Sequence, residues 1–107
     1  MQALAVEIQD KKVFFDVSNA HAVAKVDFPL VVVPHTGENI LGVINFRGKV
    51  LPVYNLNNAL GYPADYRYRY LLVLEKESIL VGILSDKMPK IQEAETAELF
   101  SIDRLFA

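Results

Sequence analysis

Apolar positions in this chain recur with a period of two, in short runs separated by polar or glycine-containing pairs. Leu4, Val6 and Ile8 share one face of Ala3 to Ile8 and predict a first strand. Asp10-Lys11-Lys12 reads as a polar turn and Val13 to Val17 as a second strand, so residues 3–17 predict a hairpin. Ser18-Asn19 can cap a helix. The alanine-rich Ala20 to Lys25 predicts one or two helical turns, with Val23 and Val26 facing the core. Val26 to Val33 is a third apolar segment, and Pro29 confines its middle to an edge or a bend. Pro34 to Asn39 is a loop by composition.

The stretch around which the chain is organised is Ile40 to Gly61, ILGVINFRGKVLPVYNLNNALG. Leu41, Val43 and Ile44 lead in, Asn45, Arg47, Gly48 and Lys49 break the pattern, and Val50, Leu51, Val53 and Leu56 resume it. Two β-branched runs with a glycine between them predict a hairpin whose turn holds Gly48. Gly42 and Gly48 are backbone requirements on this reading. Asn55 to Leu60 predicts a single helical turn closed by Gly61, and Tyr62 to Arg69 a loop. Tyr70 to Leu74 and Ile79 to Leu84 predict a further hairpin around Glu75 to Ser78. Glu93 to Ala107 carries Leu99, Ile102, Leu105 and Phe106 at helical spacing and predicts a terminal helix.

Composition narrows the function classes. A chain of 107 residues fits one domain, residues 1–107, or two small lobes sharing a core. At 52% hydrophobic residues and a mean hydropathy of +0.23, it has apolar surface to spare for a partner. A net charge of −2 and a pI near 5.6 supply no basic field for nucleic acid or acidic lipid. With no cysteine, there is neither disulfide nor thiolate chemistry, which suits a cytoplasmic protein. MQALAVEIQDKK lacks the pattern of a signal peptide, and no apolar run is long enough for membrane insertion.

No catalytic constellation assembles. His21 and His35 are isolated from other metal-ligating residues, so no metal or other cofactor is expected. The serines lack a nucleophile-elbow context, and the glycines do not form a phosphate loop. Tyr66-Arg67-Tyr68-Arg69-Tyr70 alternates aromatic and basic residues, but the overall acidity favours a strand entry or a protein contact over nucleic acid. Arg47, at a strand end, can tie the elbow to its neighbour or reach a partner carboxylate. The Asn45 amide is suited to serving backbone groups there.

Gly42-Val43-Ile44-Asn45-Phe46-Arg47-Gly48, Val50-Leu51-Pro52-Val53-Tyr54-Asn55-Leu56, Leu60-Gly61 and Val81-Gly82-Ile83-Leu84-Ser85-Asp86 together resemble the CheW family of bacterial chemotaxis adaptors. Phe46 stands for an aliphatic residue of the family pattern and Asn55 for its usual Asp. The resemblance implies an all-β fold of two small barrel-like lobes with short helices. It implies a non-catalytic adaptor joining a chemoreceptor's cytoplasmic tip to the regulatory domain of a CheA-type histidine kinase. Arg47 and Asn45 would border the contact, with Val23, Val26, Leu30, Ile44 and Met88 as an apolar groove for a helix face. The alternative is a self-associating domain that has lost receptor coupling. Between Ile91 and Ser101 the family carries a further strand pair that this chain lacks, so the C-terminal lobe is expected to be shortened. A strand left unpaired there predicts a homodimer, formed by edge pairing or by exchange of the C-terminal segment.

Overall fold

The structure, a computed structural model, describes residues 1–8, 11–26, 40–54, 56 and 69–105, apart from the side chains of residues 104 and 105. Eight strands are seen: β1 Gln2–Ile8, β2 Lys11–Asp16, β3 Ala20–Lys25, β4 Ile40–Phe46, β5 Lys49–Tyr54, β6 Tyr70–Lys76, β7 Ile79–Ser85 and β8 Lys90–Glu93. They form a three-stranded sheet in the order β2-β1-β8 and a five-stranded sheet in the order β3-β6-β7-β5-β4. The described helical pieces are short, and the fold is all-β. The expected turn at 55–60 and the loops at 34–39 and 62–68 lie outside the described residues, except that Leu56 is buried.

The first hairpin follows from period-two patterning. Leu4 pairs with Phe15 and Val6 with Val13, which puts all four on the core face of the first sheet. In the second sheet, the consecutive residues Leu71, Leu72, Val73 and Leu74 are all fully buried, so β6 is covered on both faces. An uninterrupted apolar run is the sequence form of such a strand. Both sheets contribute to one hydrophobic cluster. They are joined where β7 ends: the Asp86 N–H donates to the Glu7 carbonyl at 3.0 Å, and the fully buried Ser85 hydroxyl lies 3.2 Å from the same oxygen.

Two expectations fail. Ala20 to Lys25 is not a helix but an edge strand, antiparallel to β6. Ala22 and Ala24 are half-buried against the core while His21, Val23 and Lys25 face water. Pairing with a buried strand outweighs the few tenths of a kcal/mol by which alanine favours helix. The second failure is the terminal helix. Only 3₁₀ turns form, at Thr96–Glu98 and Ile102–Leu105. Glu95 and Glu98 cap the first turn reciprocally, and an extended bridge from Leu99 to Phe14 follows. A helix this short has little stability of its own, and contact with β2 wins.

Before β3, Asp16 accepts hydrogen bonds from the Ser18 N–H at 3.0 Å and the Ser18 hydroxyl at 2.8 Å, capping a 3₁₀ turn at Val17–Asn19. These bonds, the backbone one first, lower the Asp16 pKa below its ordinary value. A lowered folded pKa means stability that is present above the unfolded carboxylate range and lost as pH falls through the folded value. Asp16→Ala is expected to cost about 1 kcal/mol at pH 7 and less at pH 3, as a cap substitution does. Urea unfolding of both proteins at the two pH values checks it; an equal loss at both would remove the charge from the explanation.

The β6–β7 turn, Glu77-Ser78, has positive φ at both residues, +51° and +68°, without a glycine. A two-residue hairpin loop needs this left-handed geometry, which non-glycine residues adopt at a cost. Ser78→Gly is expected to raise stability by about 0.5 kcal/mol, the relieved strain being partly offset by unfolded-state entropy. A lower urea midpoint in the variant would contradict the strain assignment.

Candidate functional site

The β4–β5 turn has the same geometry as the β6–β7 turn and ends the same sheet. Phe46 pairs with Lys49, leaving Arg47 and Gly48 as a two-residue loop. Their φ values are +51° and +81°. No atom lies within 4 Å of a Cβ built on Gly48, so its φ and not crowding calls for glycine. Asn45 closes the turn, its Oδ1 accepting from the Gly48 N–H at 3.2 Å. The Arg47 guanidinium stacks over the Phe46 ring, 4.8 Å from its centroid. That contact holds the charge against the sheet end while leaving Arg47 exposed.

A depression of about 190 Å³ opens beside this turn, lined by Phe46, Lys49, Val50, Leu51, Ser78 and Leu80. It lies between the tips of the two hairpins. Val50 is 73% exposed and Ile79 57%, large apolar side chains at the same end of the sheet. Lys49 adds a cation to the lining, and Arg47 is exposed in the adjoining turn. Such a surface suits contact with another protein, in which a few apolar and arginine anchors dominate binding. Among the described residues no group of three His, Asp or Glu is placed to hold a metal. His21 is exposed and pairs with Glu75 at 3.5 Å. His35 lies outside the described residues. Among those residues, too, no helix is long and apolar enough to cross a membrane.

Of the residues expected to form one groove, the described ones differ in their surroundings. Ile44 is 1% exposed and belongs to the core, because it pairs with Leu51 on the inner face of the hairpin. It is therefore corrected from a binding residue to a packing residue. Val23 is exposed on β3, where a core-facing helical position was expected, and Val26 is half-buried against the core, its N–H bonded to the Arg69 carbonyl. Met88 is exposed at a separate depression on the outer face of the three-stranded sheet, beside Glu7, Lys12, Lys87 and Lys90. Leu30 is outside the described residues. Gly42 is buried in β4 just past a register shift. Val50 and Ile79, which the sequence pattern places in strands, are not among the expected binding residues. The signal for Val50 was parity: it faces the same side as its partner Asn45, a polar residue in an otherwise apolar run.

Comparison with known proteins agrees with this architecture. "Chemotaxis protein CheW" of Thermotoga maritima is 32% identical over 88 residues, covering 81% of this chain and 58% of that protein. "Probable chemotaxis protein CheW" of Rhizobium etli is 38% identical over 65 residues, covering 59% of this chain and 42% of that protein. This chain thus spans about half the length of the curated relatives it matches. Among solved structures, the scaffolding protein TtCheW of Thermoanaerobacter tengcongensis superposes with a TM-score of 0.71 over 90% of this chain and 66% of that one, at 23% identity, which shows a shared fold. The family model for the CheW-like domain matches residues 2–105, and the chain belongs to that family.

Proposed function

We propose that this chain is a non-catalytic, cytoplasmic adaptor of chemotaxis-type signalling, a single domain that binds a chemoreceptor's cytoplasmic tip and the regulatory domain of a CheA-type histidine kinase. The observation that carries the reading is the hairpin-tip end of the larger sheet, which exposes Val50 and Ile79 and also carries an Arg47 held in place on Phe46. A receptor tip is helical, and an amphipathic helix binds by laying its apolar face on such a surface. The cations at the rim favour a partner with carboxylates beside that apolar face. Family membership and the names of the relatives support the adaptor role.

Arg47→Glu tests the site. It reverses a charge on an exposed turn residue whose cation–π contact adds about 0.5–1 kcal/mol to stability, so the domain stays folded. Pull-down by a chemoreceptor cytoplasmic fragment or by the kinase regulatory domain is expected to fall at least tenfold, the loss of about 1.4 kcal/mol or more. If the variant unfolds readily while its folded fraction binds like the wild type, Arg47 is a structural tie and the binding site lies elsewhere.

A further inference from the structure

The two outer strands of the three-stranded sheet are treated differently by the chain. Along β2, Leu99 bridges Phe14 and the Phe100 N–H donates to the Phe14 carbonyl at 2.7 Å, so the C-terminal segment covers that edge at Phe14. Along the far side of β8 no strand is paired among the described residues, and all four residues Lys90–Glu93 are exposed.

The register says which groups are open. Met1 and Ala94 exchange both hydrogen bonds, from the Ala94 N–H to the Met1 carbonyl at 2.9 Å and from the Met1 nitrogen to the Ala94 carbonyl at 3.1 Å. Bonded and non-bonded pairs alternate along an antiparallel ladder, so Ala3↔Gln92 and Ala5↔Lys90 are bonded pairs as well. The N–H and C=O groups of Ile91 and Glu93 therefore point away from β1. Side chains follow the same parity. Ile91 stands opposite Leu4 and shares its face, the core face, yet Leu4 is 6% exposed and Ile91 57%. The core layer extends onto β8 and is left open to solvent there.

We propose that a second copy of this chain covers this edge, its β8 pairing antiparallel to the first with Ile91 opposite its counterpart. A two-fold axis normal to the sheet keeps both core faces on one side, and only registers that match core-facing positions are then allowed. With Ile91 on Ile91, the two residues exchange both backbone bonds and their side chains cover each other. Each Glu93 N–H meets the carbonyl of Pro89, which has no N–H to leave stranded. On the opposite face Lys90 falls across from Gln92, so no like charges meet. The pairing is two-fold symmetric and uses the β8 edge of both copies, which closes the assembly at a dimer with strand order β2-β1-β8-β8-β1-β2. The C-terminal segment, which sequence reasoning offered as an element to exchange, stays on its own β2 edge.

The register also supplies a selective variant. At position 91 proline removes only the outward N–H, a replacement that edge strands tolerate, and leaves the β1 ladder intact. Sedimentation of the 107-residue chain at micromolar concentration is expected to show a dimer, and Ile91→Pro to weaken it about thirtyfold, since symmetry removes two hydrogen bonds at once. In the cysteine-free background, Ile91→Cys is expected to cross-link quantitatively under mild oxidation, because directly opposed Cα atoms lie about 5.5 Å apart, within disulfide reach. A wild type that stays monomeric, an Ile91→Pro variant that dimerises undiminished, or an Ile91→Cys variant that does not cross-link each overturns the proposal. None of these outcomes bears on adaptor binding at the hairpin tips.

Discussion

Gly82→Ala is expected to destabilise the protein by about 1–3 kcal/mol, and Gly82→Val by more, as overpacking a tight core does. Gly82 sits where three strands meet, paired with Val73 of β6 on one side and Val53 of β5 on the other. A Cβ there lies 2.8 Å from Leu71 Cδ1, 3.3 Å from Leu51 Cδ2 and 3.4 Å from Val53 Cγ2. All three side chains are buried in the core, Leu71 and Val53 at 0% and Leu51 at 2% exposed, so making room for a methyl means repacking buried neighbours. Among the described residues the parallel β5–β7 pairing has the single register pair Val53↔Gly82, beside Pro52, which has no N–H to lengthen it. A wedge at Gly82 therefore strikes the weakest seam of the larger sheet. The cause can be isolated by a double-mutant cycle with Leu71→Ala. Alone, Leu71→Ala costs about 2–5 kcal/mol; in the Gly82→Ala background it is expected to cost at least about 1 kcal/mol less, because the new methyl occupies vacated space. Additive effects would mean that crowding against Leu71 is not the reason for glycine.

Phe15→Ala is expected to cost about 3–5 kcal/mol, a large part of what a domain of this size has. The Phe15 ring is 1% exposed and packs against Phe100, centroids 5.6 Å apart and planes tilted by 58°. It fixes the three-stranded sheet to the common core and also gives the C-terminal segment its aromatic contact. The loss should thus be both global and local. Chemical denaturation reads the first, and faster amide exchange at Phe100, whose N–H holds the Phe14 carbonyl, reads the second. Phe15→Leu, which keeps most of the volume, is expected to cost about 1.5 kcal/mol or less. A Phe15→Ala variant within about 1 kcal/mol of the wild type would contradict the packing described here.

The hairpins were legible in the sequence because each carries its own instructions: an alternating or fully apolar run, a polar pair, and a second run in register. Arg47-Gly48 announces its turn through the glycine, whereas Glu77-Ser78 uses the same left-handed geometry with no glycine to mark it. What was not legible depends on partners distant in the chain. Ala20 to Lys25 has the composition of a helix and becomes a strand because β6 offers it an edge. Leu99 and Ile102 have helical spacing, but Phe14 and a 3₁₀ turn decide their conformation. At the site, the turn and its arginine were found from local residues. The groove was assigned to residues that differ in their surroundings, since facing directions depend on register: Ile44 points inward with Leu51, and Val50, one position away, points outward with Asn45.

The central claim is that the hairpin-tip surface binds signalling partners, and a calorimetric titration tests it most directly. The chain is titrated with a chemoreceptor cytoplasmic fragment and, separately, with the regulatory domain of a CheA-type kinase, in wild-type form and as Arg47→Glu. The expected result is saturable binding of both partners by the wild type and at least a tenfold weaker affinity of the folded variant for one of them. Absence of binding to either partner by a folded wild type, or affinities unchanged by Arg47→Glu, would contradict it.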